Sequence, residues 1–298
     1  MSARKKWIWV CLAVMFLTSC THRQVQPPAP LPPPPKPAKI ALVLGAGSAK
    51  GFAHIGVLKI FQAQKVPVHM IVGTSAGSLV GSLYAYGYNA FRLQELALSL
   101  EKGEVIDYTL PDKGFIKGEK LAEFVNKMTN QTPLEQMKIP FYTVAVDIQN
   151  GEEVVFGRGN TGTAVRASCS VPGVFRPVRI GDRMYVDGGV VSPVAVDAAR
   201  KHGGDVVIAV DISSHVESAK PEGIVETILQ SIDIMYSRLA SIQCAKADVV
   251  IRPRVGHIVA SDFSKRYEAI LEGEKAAAAA LPQVQELLEK LRREGRIQ

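Results

Sequence analysis

The chain has 298 residues, of which 47% are hydrophobic and 21% charged, enough for one large α/β domain or two small ones around a sizeable core. Its formal charge of +7 includes Arg4, Lys5 and Lys6 in a leader expected to be removed; residues 20–298 keep 32 basic groups against 28 acidic ones, a net +4. That mild excess suits an anionic membrane surface and is too weak to indicate nucleic acid.

Residues 1–19 are predicted to be a signal peptide: a basic start, then an apolar run of eleven residues from Trp7 to Leu17, too short to span a bilayer comfortably. Leu17-Thr18-Ser19-Cys20 resembles the bacterial lipoprotein box. The resemblance implies that Cys20 becomes the first residue of the mature chain and carries a thioether-linked diacylglyceryl group and an amide-linked acyl chain. Several buried chains at ~0.8 kcal/mol per methylene make such attachment effectively permanent. Thr21 follows where an aspartate would argue for inner-membrane retention, so the expected location is the bacterial outer membrane, at its periplasmic face. An ordinary secreted protein with an incidental cysteine is the alternative. Residues 20–38 continue as a linker in which eight of the eleven positions from Pro27 to Pro37 are proline. Such a run extends as polyproline II at ~3.1 Å per residue, a stalk of roughly 30 Å.

Lys39 to Leu44 reads as a buried strand, followed at once by Gly45-Ala46-Gly47-Ser48-Ala49-Lys50-Gly51 and then by a helix with Phe52, Ile55, Leu58 and Phe61 or Ala63 on one face. A glycine turn in this place suggests a dinucleotide site, but the spacing is Gly-x-Gly-x-x-x-Gly, a lysine intrudes, and no acidic residue ends the second strand. No cofactor is therefore expected. The alternative is that the backbone amides of the turn form an oxyanion hole, each donor contributing ~3 kcal/mol to an acyl-transfer transition state.

The second strand, Val66 to Val72, runs into Gly73-Thr74-Ser75-Ala76-Gly77 and a helix from Ser78 to Tyr86. Gly-x-Ser-x-Gly at a strand-to-helix bend is the nucleophile elbow, which holds the Ser75 hydroxyl out over the end of the sheet. The helix points its free amides at the same spot and favours negative charge there.

From Gly87 to Thr132 the pattern is helical, broken by Gly103, Pro111 and Gly114-Phe115-Ile116-Lys117-Gly118; that turn either packs or lines an acyl channel, with packing favoured. Phe141 to Ile148 is a strand, and Asn150-Gly151 turns it into Glu152 to Phe156. A second hairpin turns at Gly181-Asp182, and its return strand, Met184 to Val186, ends in Asp187-Gly188-Gly189. A carboxylate at a strand end before two glycines is rarely a packing device; alone it would more often be a turn aspartate, but together with the glycine turn and the serine elbow it makes Asp187 the expected acceptor of the Ser75 proton. His202, His215 and His257 could in principle complete a triad, but none has the flanks of a catalytic loop, so a Ser75–Asp187 dyad is predicted. Of the four cysteines only Cys169 and Cys244 remain after the leader and lipidation; a disulfide and two buried thiols are both open, and no metal site is expected.

Pro193 to Lys201 reads as a helix, Asp205 to Val210 as a strand, Gly223 to Cys244 as a long helix and Asp248 to Ile251 as a strand. In the tail, five alanines precede Pro282, which is predicted to open a helix with Val284, Leu287, Leu288 and Leu291 on one face, docked on the core rather than on a membrane.

The glycine turn continuing into Phe52-Ala53-His54-Ile55-Gly56, the Gly-Thr-Ser-Ala-Gly elbow and the Asp-Gly-Gly, in that order, resemble the patatin-like phospholipases, particularly the bacterial branch, over roughly residues 39–212. The resemblance implies a three-layer α/β/α fold around a mainly parallel sheet, with residues 213–298 as a C-terminal extension packed on the core. It also implies that amides around Gly47 and Ser48, with Ala76, hold the oxyanion, that Lys50 shapes the turn, that His54 is structural, and that Thr163 to Val174 buttresses the site without touching substrate. Many members have three consecutive glycines where this chain has Gly45-Ala46-Gly47-Ser48, so the hole requires that neither Ala46 nor Ser48 need a positive φ. The implied activity is hydrolysis of lipid carboxyl esters, of phospholipase A or lysophospholipase type. A lipid- or protein-binding module of the envelope with little turnover is the alternative.

Overall fold

The computed structural model describes residues 34–110, 112–213 and 221–297. The leader, Cys20, most of the proline run and His215 lie outside the described residues. Lys36–Gln298 forms one compact unit.

This unit is built on an eight-stranded sheet in the order β5-β6-β3-β2-β1-β7-β8, with β4 paired to β3. The central strand β1 (Ile40–Leu44) lies parallel to both β2 (Met70–Thr74) and β7 (Val206–Val210). Parallel pairing continues outward to β3 (Phe141–Asp147) and β8 (Val249–Ile251). The two hairpins expected at Asn150-Gly151 and Gly181-Asp182 form as β3–β4 (Glu153–Phe156) and β5–β6 (Val178–Ile180 and Arg183–Asp187), and make that edge antiparallel.

β1 is buried throughout, and its side chains alternate between two cores as the period of a strand demands. Ile40, Leu42 and Leu44 join one apolar cluster, Ala41 and Val43 the other. Over the first face lie α1 (Phe52–Ala63), α2 (Ala76–Tyr86), α3 (Ala90–Ser99), α5 (Glu119–Met128) and α6 (Thr161–Ser168), with the four-residue α4 (Lys102–Val105) before α5. The second face is covered by α7 (Val196–Lys201) and by Ala240 and Cys244 near the end of α8 (Ile224–Cys244). The result is three layers, α/β/α.

The last helix, α9 (Arg266–Arg293), lies against α1 and buries Ile270, Ala277, Val284, Leu288 and Leu291. Pro282 does not open it, as the sequence suggests, but sits inside it. Proline removes one backbone donor, yet the alanines from Ala276 to Ala280 are the strongest helix formers, and the docked apolar face on either side holds the helix in one piece. Residues beyond 212 thus supply a strand to the sheet as well as cover to both faces. Cys169 and Cys244 are free buried thiols.

Candidate active site

The site lies where β1 and β2, running side by side, both end. At the end of β1 the turn is held down by its own backbone: Gly45 N–H donates to Val210 O at 3.0 Å and Ala46 N–H to Pro193 O at 2.8 Å. His54, fully buried on α1, grips Gly45 O through Nε2 at 2.8 Å. Burial pushes the imidazole down to about 4, so it stays neutral and structural. Ala46 has no positive φ, but Ser48 sits at φ 50°, the left-handed region that the sequence reading required it to avoid. The turn nevertheless closes with serine in that conformation, and its N–H keeps no acceptor among the described residues, so the donor is not lost. Two further amides of the turn are committed, Ala49 N–H to Ala260 O at 3.1 Å and Lys50 N–H to Gly47 O at 3.0 Å. Those of Gly47, Ser48 and Ala76 have no acceptor among the described residues. Lys50 does more than shape the turn: its buried ammonium pairs with Asp233 of α8 at 2.6 Å.

At the end of β2 the chain turns into α2 within one residue. Ser75 carries the turn at φ 53°, ψ −122°, a conformation an L-residue holds only under constraint. The constraint is visible. Gly73 and Gly77 let the bend close: a Cβ on Gly73 would come within 2.5 Å of Ser78 Cα, and one on Gly77 within 2.0 Å of Leu44 O. Ser75 N–H donates to Ser168 Oγ at 2.9 Å, and that hydroxyl donates to Val144 O at 2.6 Å. Ser75 O accepts from Ser78 N–H at 2.8 Å and from the Ser78 hydroxyl at 2.6 Å.

Across the sheet, β6 delivers Asp187 to the same place. The Ser75 hydroxyl donates to Asp187 Oδ2 at 2.5 Å, closing a contact that spans 112 residues. Asp187 Oδ1 accepts from Gly189 N–H at 2.7 Å and from the Tyr236 hydroxyl of α8 at 3.0 Å. The carboxyl is completely buried. Burial raises its pKa to about 6, against the pull of its hydrogen bonds from Ser75, Gly189 and Tyr236. Gly188 closes against β3, where a Cβ would meet Val144 O at 2.2 Å. Neither His202 nor His257 bonds Ser75 or Asp187: His202 caps α7 on Ala198 O, and His257 pairs with Glu268.

Ser75, Ala76 and Ser48 form part of the lining of a cavity of about 240 Å³. Its walls are almost wholly apolar, from Phe52, Leu79 and Val80 on one side to Leu121, Val174 and Leu229 on others, with Lys102 as the single charged residue among the described ones. Two expectations change here. Phe115 and Ile116 line this cavity as well as pack, and the segment Thr163 to Val174 contributes Cys169, Val171 and Val174 to its wall instead of standing behind it. Sequence reasoning also missed Ser168, Asp233 and Tyr236. The only local hint was an aspartate and a tyrosine three residues apart within the apolar face of α8, where a buried carboxylate needs a partner.

The fold and site together define an α/β/α protein with a serine at a strand-to-helix bend beneath an apolar cavity. Residues 42–200, more than half of the chain, match the family model described as patatin-like phospholipase. The chain belongs to that family, a family of lipid hydrolases. It is 33% identical over 193 residues to the "Uncharacterized NTE family protein Rv1063c" of Mycobacterium tuberculosis, covering 63% of this chain and 52% of that protein. It is likewise 33% identical over 187 residues to patatin-like phospholipase domain-containing protein 6 of Mus musculus, covering 60% of this chain and 14% of that one. The chain thus spans about half the length, or less, of these curated relatives. Among solved structures, VipD from Legionella pneumophila superposes with a TM-score of 0.59 at 11% identity, covering 85% of this chain and 67% of that one, a likeness of fold.

Proposed function

We propose that the protein is a membrane-tethered serine acyl hydrolase that cleaves carboxyl esters of lipids, of phospholipase A or lysophospholipase type. The observation that carries this reading is the hydrogen bond from the Ser75 hydroxyl to a buried carboxylate at the edge of an apolar cavity. The acyl chain occupies the cavity and brings its ester carbonyl to Ser75. As Oγ attacks the carbonyl carbon, its proton passes to Asp187 Oδ2, and the oxyanion is held by the amides of Gly47, Ser48 and Ala76. The tetrahedral species collapses, the ester C–O bond breaks, and Asp187 returns the proton to the departing alcohol, leaving acyl-Ser75. Water then repeats the sequence: its proton goes to Asp187, its oxygen bonds the carbonyl carbon, and fatty acid leaves as Ser75 recovers the proton. Lipidated Cys20 would hold the enzyme at the periplasmic face of an outer membrane, beside its substrate.

A fluorophosphonate probe and product analysis test the proposal. The wild type should be labelled and should release fatty acid from mixed envelope lipids, and Ser75→Ala should lose both, with a rate reduced by at least about 10³-fold. A wild type that binds lipid vesicles but takes no label would instead establish the lipid-binding module. Radiolabelled palmitate appearing on the wild type and not on Cys20→Ala tests the tether.

A further inference from the structure

The family match ends at residue 200, yet two side chains of α8 reach the site from beyond it. Asp233 and Tyr236 stand three residues apart and so share one helix face. Asp233 pairs with Lys50 of the glycine turn at 2.6 Å, while the Tyr236 hydroxyl donates to Asp187 Oδ1 at 3.0 Å. The Tyr236 ring lies hard against Gly189: a Cβ there would come within 2.2 Å of it. The second glycine of Asp-Gly-Gly is therefore the space that the phenol occupies.

A carboxylate has two equivalent oxygens and a soft terminal torsion, so a buried aspartate needs something to decide which oxygen faces its partner. Here Gly189 N–H and the Tyr236 hydroxyl both load Oδ1, leaving Oδ2 for Ser75. Resting on the reading of Ser75 and Asp187 given above, we propose that Tyr236 is a positioning residue of the reaction, fixing the Asp187 carboxylate so that Oδ2 takes the Ser75 proton.

The hydrogen bond has an electrostatic consequence as well. It stabilises the ionised carboxylate against the burial that opposes it. The phenol keeps its proton, because burial and then Asp187, Asp233 and Cys169 push its pKa well above the ordinary value. The other groups facing Asp187 do not substitute for the phenol, since the Cys169 thiol is held neutral by burial and the Asp233 charge is matched by Lys50.

The test is the rate of fluorophosphonate labelling of Ser75 in the full chain, followed from about pH 5 to about pH 9. Tyr236→Phe keeps the ring against Gly189 and removes only the hydroxyl. It should label about tenfold more slowly at neutral pH, a barrier increase of about 1.4 kcal/mol, with its acid limb displaced to higher pH. An unchanged rate overturns the proposal, and so does a slower rate with an unmoved limb, which a packing role alone would give. If Tyr236→Phe does not fold, 3-fluorotyrosine placed at position 236 keeps ring and hydroxyl; its more acidic phenol donates more strongly and should move the limb to lower pH, and an unmoved limb overturns the proposal. A wild type that takes no label removes the hydrolase reading and this proposal together, whereas a labelled wild type with an indifferent Tyr236→Phe removes this one only.

Discussion

Asp187 shows what a buried catalytic carboxylate costs. Burial raises its pKa to about 6, so a reaction that uses it as proton acceptor should fail as pH falls through that value. The effect on stability has the opposite sense. A carboxyl whose folded pKa lies above its unfolded one contributes stability that is complete below about pH 4 and lost as pH rises through about 6. At neutral pH the group therefore leaves the fold about 3 kcal/mol less stable than it does below about pH 4. Asp187→Asn keeps the shape and the acceptor for Gly189 and Tyr236 but removes the charge. It should abolish labelling of Ser75 and yet raise the thermal midpoint by several degrees at pH 8, an advantage that shrinks toward pH 4. A midpoint that falls at both pH values would show that the charge is not the dominant cost. Ser48 is a smaller case of the same kind, a non-glycine residue at φ 50° beside the free amides. The sequence could pose that question but not answer it, since positive φ is a property of how the whole turn is pinned, by Val210, Pro193 and His54.

Among the elements, the strands and both hairpins were legible because their signals are local: β-branched runs, Asn-Gly, Gly-Asp, and two motifs that each fit within five residues. Pro282 misled for the complementary reason, since a local breaker was overruled by burial at Ala277, Val284 and Leu288. The tie between α8 and the glycine turn was invisible, because Lys50 and Asp233 are 183 residues apart and nothing near either marks the other. That tie makes a clear prediction. Asp233→Ala leaves an unpaired ammonium in a buried place and should cost about 3–5 kcal/mol, read as a lower urea midpoint with little change in slope. The double variant Lys50→Met, Asp233→Leu should recover most of the loss, because what destabilises is the orphaned charge and not the absent bridge. Equal losses in single and double variants would contradict this.

For the molecule as a whole, the cavity is the feature that no stretch of sequence announces. Its wall draws on the glycine turn, the elbow helix, the Phe115 turn, the segment after α6, and the first turns of α8; the first two read as catalytic apparatus, the third as packing with a channel as the lesser alternative, and the last two as support or ordinary packing. Only the closed fold turns these faces toward one space beside Ser75. If acyl chains fill it, Val171→Phe should shift the ratio of kcat/KM between long-chain and short-chain esters by about tenfold or more toward the short, a ratio that does not depend on how much enzyme is folded. An unchanged ratio would place the chain elsewhere. The two ends of the compact unit have a consequence of their own. Ala38 N–H donates to Arg296 O at 2.8 Å, and the Arg296 guanidinium reaches Lys36 O at 3.3 Å, so the polypeptide enters and leaves this unit at a single spot. A short peptide can therefore splice those two points into a closed ring, and the ring can be cut again at the open bend of Gly181-Asp182, giving the same architecture written from a different starting residue.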